Sequence, residues 1–108
     1  MITELNDYQE KAVVTMNKDI VKSEIDKYCA MKLAEEVGEL SGMLAKHYWH
    51  GKAFDRENLK EEVSDILWYL ANIAHSNGFT LSEIATFNID KLEKRHGKSY
   101  NRAYYTDS

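Results

Sequence analysis

Apolar residues in this chain recur at helical spacing in two long stretches. Leu33, Val37, Leu40 and Leu44 follow one another at intervals of four, three and four, and Leu59, Val63, Ile66, Leu70 and Ile73 keep the same rhythm. Such spacing gathers apolar side chains into one stripe on the surface of an α-helix. No segment reads as a strand. Polar capping residues and glycines divide the chain into four helices. Thr3 caps a first helix running to about Asn17, and Ser23 or a near neighbour starts a second that stops near Gly51. Asp55 caps a third that continues to Gly78, and Thr80, with Glu83 three residues on, forms a capping box for a fourth that ends at Gly97. Gly51, Gly78 and Gly97 stand where a helix C-terminus takes a residue tolerant of positive φ. Proline is absent, so nothing interrupts the helices. The tail SYNRAYYTDS is polar and aromatic, and is expected to pack on a neighbour rather than form an element of its own. The predicted fold class is all-α, a four-helix bundle in one domain over residues 1–108.

The two apolar stretches share a second feature. Glu35-Glu36-Val37-Gly38-Glu39-Leu40 is echoed position for position by Glu61-Glu62-Val63-Ser64-Asp65-Ile66. A helix turns about 100° per residue, so Glu39 lies about 60° and Glu35 about 100° to one side of Glu36, with the leucines on the other side. Glu62, Asp65 and Glu61 repeat that arrangement on the third helix. Each helix thus carries an acidic strip along one edge of its apolar stripe. A short connection favours antiparallel packing, which brings Glu36, Glu39, Glu62 and Asp65 together at the edge of the core. Four carboxylates so placed repel one another and lose solvation, so a cation has to compensate. Mg²⁺ suits them, with its preference for hard oxygen ligands and for retaining waters and phosphates; Mn²⁺ is an acceptable substitute. Glu61 is given no role beyond that of a solvated surface residue.

Composition narrows the function classes. A net charge of −4 gives no general attraction to nucleic acid or anionic membrane. No apolar run approaches the roughly 20 residues of a membrane span. The lone Cys29 can make no internal disulfide and fits a reducing compartment, and the first residues show no signal-peptide pattern, so the expected location is cytoplasmic. The basic residues Lys91, Lys94, Arg95 and Lys98 cluster near the C-terminus, where they suit a solvated last turn or phosphate binding. A small chain buries a modest core, so association into a homodimer or homotetramer is expected to complete the bundle.

The pattern Glu35-Glu36-x-x-Glu39, 22 intervening residues and Glu62-x-x-Asp65 resembles the signature of MazG-like nucleotide pyrophosphohydrolases, in the all-α NTP pyrophosphatase superfamily. The resemblance covers about residues 25–96, including Asn88-x-x-Lys91 and Arg95. It implies a MazG-like bundle that hydrolyses a nucleoside triphosphate to monophosphate and pyrophosphate with Mg²⁺, in nucleotide-pool house-cleaning. It further implies Glu36, Glu39, Glu62 and Asp65 as metal ligands and Glu35 as an additional ligand or the base that orients water. Lys91 and Arg95 would contact phosphates with Asn88 in support, in sites that can draw on more than one subunit.

Beside the motif, Tyr69 and Asn72 fall on or near the acidic side of the third helix, where a ring can stack on a base and an amide can hydrogen-bond one. Trp68 is a candidate for a subunit interface. Lys32, one turn before Glu36, suits a phosphate contact, neutralisation of the acids or a plain ion pair along the helix. His47, Trp49 and His50 read as packing or loop-anchoring residues. Two rival readings are a di-iron carboxylate bundle and a non-catalytic oligomerisation or adaptor module. The first needs two Glu-x-x-His motifs, and the chain offers one, Glu93 to His96. The second gives no reason to gather acids at a core edge.

Overall fold

The computed structural model describes residues 1–97, and its described residues are helical with no strands. The order is α1 (Leu5–Val14), a short 3₁₀ turn (Lys22–Glu24), α2 (Ile25–His50), α3 (Arg56–Ser76) and α4 (Leu81–His96). The expected tail after Lys98 lies outside the described residues.

The later boundaries follow local chemistry. Asp55 caps α3 by accepting from the Asn58 backbone N–H at 3.0 Å. Thr80 and Glu83 form the reciprocal capping box of α4. Gly51 ends α2 in the left-handed region at φ 70°, where a side chain would be strained. The earlier boundaries differ from expectation. Glu4 rather than Thr3 occupies the N-cap of α1, without a side-chain cap, and the helix stops at Val14 instead of near Asn17. Ser23 does not cap α2 but lies inside the 3₁₀ turn that leads into it. At the C-terminal end of α1, Thr15 turns its hydroxyl back to the Ala12 carbonyl and accepts from the Trp68 indole N–H, each at 2.7 Å.

The helices α2 and α3 form an antiparallel pair. The start of α2 meets the end of α3, where Asp26 accepts from Ser76 and Asn77. The far end of α2 meets the start of α3, where the Asn58 amide reaches Met43 Sδ at 2.9 Å. Leu33, Leu40, Leu44, Leu59, Ile66 and Ile73 are half-buried, whereas Val37, Val63 and Leu70 of the same stripes remain exposed. Helix α1 lies across α3, and Ala12, Ala71, Ala74 and Leu81 form the small core, with Tyr8 and Trp68 packed against it. Small residues there let the two helix backbones approach closely. Trp68 packs against this core within the subunit and remains half-buried.

Gln9 fastens α1 to the α3–α4 turn. Only 5% exposed, it donates to the carbonyls of Ala71 and Phe79 and accepts from the Leu81 N–H. Asn6 accepts from the Ser82 N–H. Two side chains of α1 thus satisfy backbone donors in the first turn of α4, which otherwise have no partner within their own helix.

Candidate functional site

The antiparallel pairing brings the echoed motifs to the same level. One carboxylate oxygen from each of Glu36, Glu62 and Asp65 lies within 4.8 Å of the others, and all three residues are half-buried. The set is all oxygen, the donor chemistry of hard cations. Glu62 Oε2 is buried and receives no hydrogen bond. The groups beside the Glu62 carboxyl are those of Glu36 and Glu39, and a hydrogen bond to either exists only when one of the two partners carries a proton. The Glu62 carboxyl is accordingly pushed up to about 7, first by hydrogen bonding with Glu36, then by burial and by the charges of Glu39 and Glu36. A buried oxygen without a donor, among carboxylates that cannot all be ionised together, is where a cation or a proton belongs.

Glu39 stands at the exposed flank of the cluster: it acts on Glu62 by its charge and by hydrogen bonding, though it is not among the three groups that converge within 4.8 Å. Glu35 is exposed and faces Lys32, whose ammonium lies 3.6 Å from it. That i,i+3 pair takes one of the three roles considered for Lys32. Tyr69 sits next to the cluster, half-buried, with its ring edge-on to Trp68 at 5.0 Å. Burial raises its phenol, followed by Tyr28 and the charges of Glu36 and Asp65. Asn72 is 3% exposed and donates to the Trp68 carbonyl at 3.0 Å.

The basic residues are elsewhere. Asn88, Lys91 and Arg95 are exposed on α4, which packs on α1, and none makes a hydrogen bond or ion pair among the described residues. Of the residues grouped at the end of α2, His47 anchors the loop: Nδ1 meets the Lys52 carbonyl at 2.7 Å and the ring lies edge-on to Tyr48 and Phe54. Trp49 and His50 do not pack as expected; both are exposed, Trp49 at 82%. Cys29 is wholly buried, as its apolar neighbours suggest.

Two residues outside the motif escape a reading of the motif alone. Tyr8 on α1 is close enough for Asp65 to raise its phenol, after burial. Asp26 fixes the register of α2 against α3, and hydrogen bonds from Ser76 and Asn77 lower its carboxyl. Nothing in the sequence marks either residue for its role.

A family model described as the MazG nucleotide pyrophosphohydrolase domain matches residues 26–99. The chain belongs to this family. The match in this MazG-family chain takes in nearly all of α2 and the whole of α3 and α4, and with them every carboxylate of the cluster; α1 and the loop behind it precede the match. The Gene 37 protein of Mycobacterium phage L5 is 29% identical over 72 residues, 63% of this chain and 63% of that protein. The chain therefore spans less than two thirds of that relative. No solved structure matches it significantly. No described helix is long and apolar enough to cross a membrane.

Proposed function

We propose that this MazG-family protein hydrolyses (deoxy)nucleoside triphosphates to a nucleoside monophosphate and pyrophosphate with Mg²⁺, Mn²⁺ being an acceptable substitute. The observation that carries the reading is the convergence of Glu36, Glu62 and Asp65 around a buried oxygen that no donor reaches. These three residues, with Glu39 at the rim, would hold the cation. Mg²⁺ bound there would neutralise phosphate oxygens and lower the pKa of a bound water.

The remaining roles belong to the protein's own side chains. Glu35, steadied by Lys32, orients the attacking water and takes up its proton or adds a further ligand. The oxygen bridging the α- and β-phosphates departs with pyrophosphate. Lys91 and Arg95, supported by Asn88, contact the phosphates and offset the charge that develops on the leaving group. Their exposure suits that task, in their own subunit or across a homodimer or homotetramer. The chain lacks the G-x-x-x-x-G-K-[ST] loop that cradles phosphates in γ-phosphate-releasing enzymes.

Ion-exchange separation of the products of a triphosphate reaction tests the bond cleaved. Monophosphate with equimolar pyrophosphate is expected, whereas diphosphate with orthophosphate would overturn the assignment. Glu36→Gln and Asp65→Asn should each lower turnover at least 100-fold with the helical circular-dichroism spectrum intact, since they remove ligand charge but little volume. Near-wild-type turnover in either at saturating Mg²⁺ would remove the metal site from the proposal.

A further inference from the structure

Helices α2 and α3 are joined at one end by the loop of residues 51–55, and at the other end no chain connection holds them together. At that open end Asp26, in the first turn of α2, accepts from Ser76 Oγ on one carboxylate oxygen and from Asn77 Nδ2 at 2.9 Å on the other. We propose that Asp26 is a positioning residue for the metal centre: by closing the open end of the pair it keeps Glu36, Glu62 and Asp65 at the level where they can share one cation. The assignment rests on the reading of the cluster as a cation site.

The apolar stripes do not set that level by themselves. Leu33, Val37, Leu40 and Leu44 repeat every three or four residues, as do Leu59, Val63, Ile66, Leu70 and Ile73. A slip of one turn, about 5.4 Å, moves each of these side chains into the place of the next. Apolar residues would still face apolar residues, but Glu36 would meet Tyr69 in one direction and Glu61 in the other. A polar contact at a single level removes that freedom. Among the described residues, the hydrogen bonds that reach α2 from α3 or its C-cap outside the cluster are the two to Asp26 and one from the Asn58 amide to Met43 Sδ. A thioether is a weak acceptor, whereas a hydrogen bond to an ionised group is roughly twice as strong as a neutral one. Ser76 and Asn77 favour that ionised form, holding the Asp26 carboxyl below its ordinary range.

The cluster works against the pairing. Carboxylates whose oxygens lie within 4.8 Å of one another repel when ionised, so without a cation they favour a pair splayed about its loop. Asp26 is well placed to oppose this. Glu36 follows Asp26 by ten residues and Asp65 precedes Ser76 by eleven, so helical rise puts them about 15 Å and about 16 Å from the contact, level with each other. The loop is further off, since Glu36 precedes His50, the last residue of α2, by 14 residues, or about 21 Å. Ligands held in place before the ion arrives bind it more tightly, because less of the binding free energy goes into ordering them.

The test uses the full-length protein, first without metal and then with Mn²⁺. Spin labels at Ser41→Cys and Lys60→Cys, both exposed and two residues from Glu39 and Glu62, report the spacing of the pair, while the buried Cys29 stays unlabelled. Dilution with unlabelled chain confines dipolar broadening to labels in one subunit. Asp26→Ala should weaken that broadening before metal is added. In unlabelled protein, Mn²⁺ binding followed by its own resonance should weaken at least 10-fold in Asp26→Ala. Half-maximal activity should need correspondingly more Mn²⁺, with kcat at saturation within about 2-fold of wild type. Ser76→Ala removes one of the two bonds and should shift both readouts less, in the same direction; it carries the test if Asp26→Ala does not fold. A lower Tm with unchanged broadening and unchanged Mn²⁺ affinity would make Asp26 a stabilising residue only and overturn the assignment. Unchanged broadening overturns it whatever the metal does. A wild-type chain that binds no Mn²⁺ would count against the cation site instead, because the labels need no metal.

Discussion

Glu62 differs from the other acids of the cluster. Its carboxyl, raised to about 7 from an ordinary value near 4.5, favours the protonated form in the folded chain. The stability this contributes is fully present below the unfolded value and is lost as pH rises through about 7. The metal-free protein should therefore show a falling Tm between about pH 4.5 and 7.5, and Glu62→Gln, which keeps the shape without the charge, should flatten that fall. Mg²⁺ at pH 8 should raise the wild-type Tm by binding the folded arrangement alone, and should do so less in Glu62→Gln. A wild-type Tm that rises across that pH interval, with Glu62→Gln following it, would mean that Glu62 is not the strained group. The acidic positions were legible in the sequence because residue type and helical phase are local properties. Their inequality was not: the orphaned oxygen of Glu62, the exposure of Glu39 and the pairing of Glu35 with Lys32 depend on how two helices lie against each other.

Among the elements, α2 and α3 were read from their apolar rhythm, and the caps at Asp55 and Thr80 operate as the local code requires. Helix α1 starts and stops away from the expected residues, has no side-chain N-cap, and is held by contacts with α3 and α4. Gln9 carries that dependence. Gln9→Ala would leave the Leu81 N–H and the Ala71 and Phe79 carbonyls short of a buried partner. A group so abandoned costs about 1–3 kcal/mol, so urea denaturation should show a loss of at least that size. Thr80→Ala, which removes a cap, should cost about 1 kcal/mol. A loss for Gln9→Ala below that for Thr80→Ala would show that α4 is held by its own cap and not by α1.

In the whole molecule, little apolar surface is fully hidden. Among the described residues the buried hydrophobic ones are Ala12, Cys29, Ala71, Ala74 and Leu81, all but one of them small. Leu67, Leu70, Phe79, Ile84 and Phe87 remain 40% or more exposed, and several of them line one apolar hollow between α3 and α4. Apolar surface of this kind on a small chain favours association with a copy of itself. Sedimentation at micromolar concentration should give a dimer or tetramer, and Ile84→Glu with Phe87→Glu should shift it toward monomer. A wild-type monomer would remove the oligomer, and any site shared between subunits, from the proposal.

The sequence by itself determined the all-α class, the approximate extent of α2, α3 and α4, the pair of acidic motifs and the family resemblance that residues 26–99 confirm. These rest on periodicity, capping and residue type, which act within a turn or two of helix. Only the tertiary structure decided which three carboxylates converge, that Trp68 turns inward to α1, and that Gln9 ties α1 to α4. It also decided that Asn72 is buried with its amide nitrogen held by the Trp68 carbonyl. Those outcomes depend on the angle and register at which separate helices pack, and a residue's own neighbours in the chain carry no record of either.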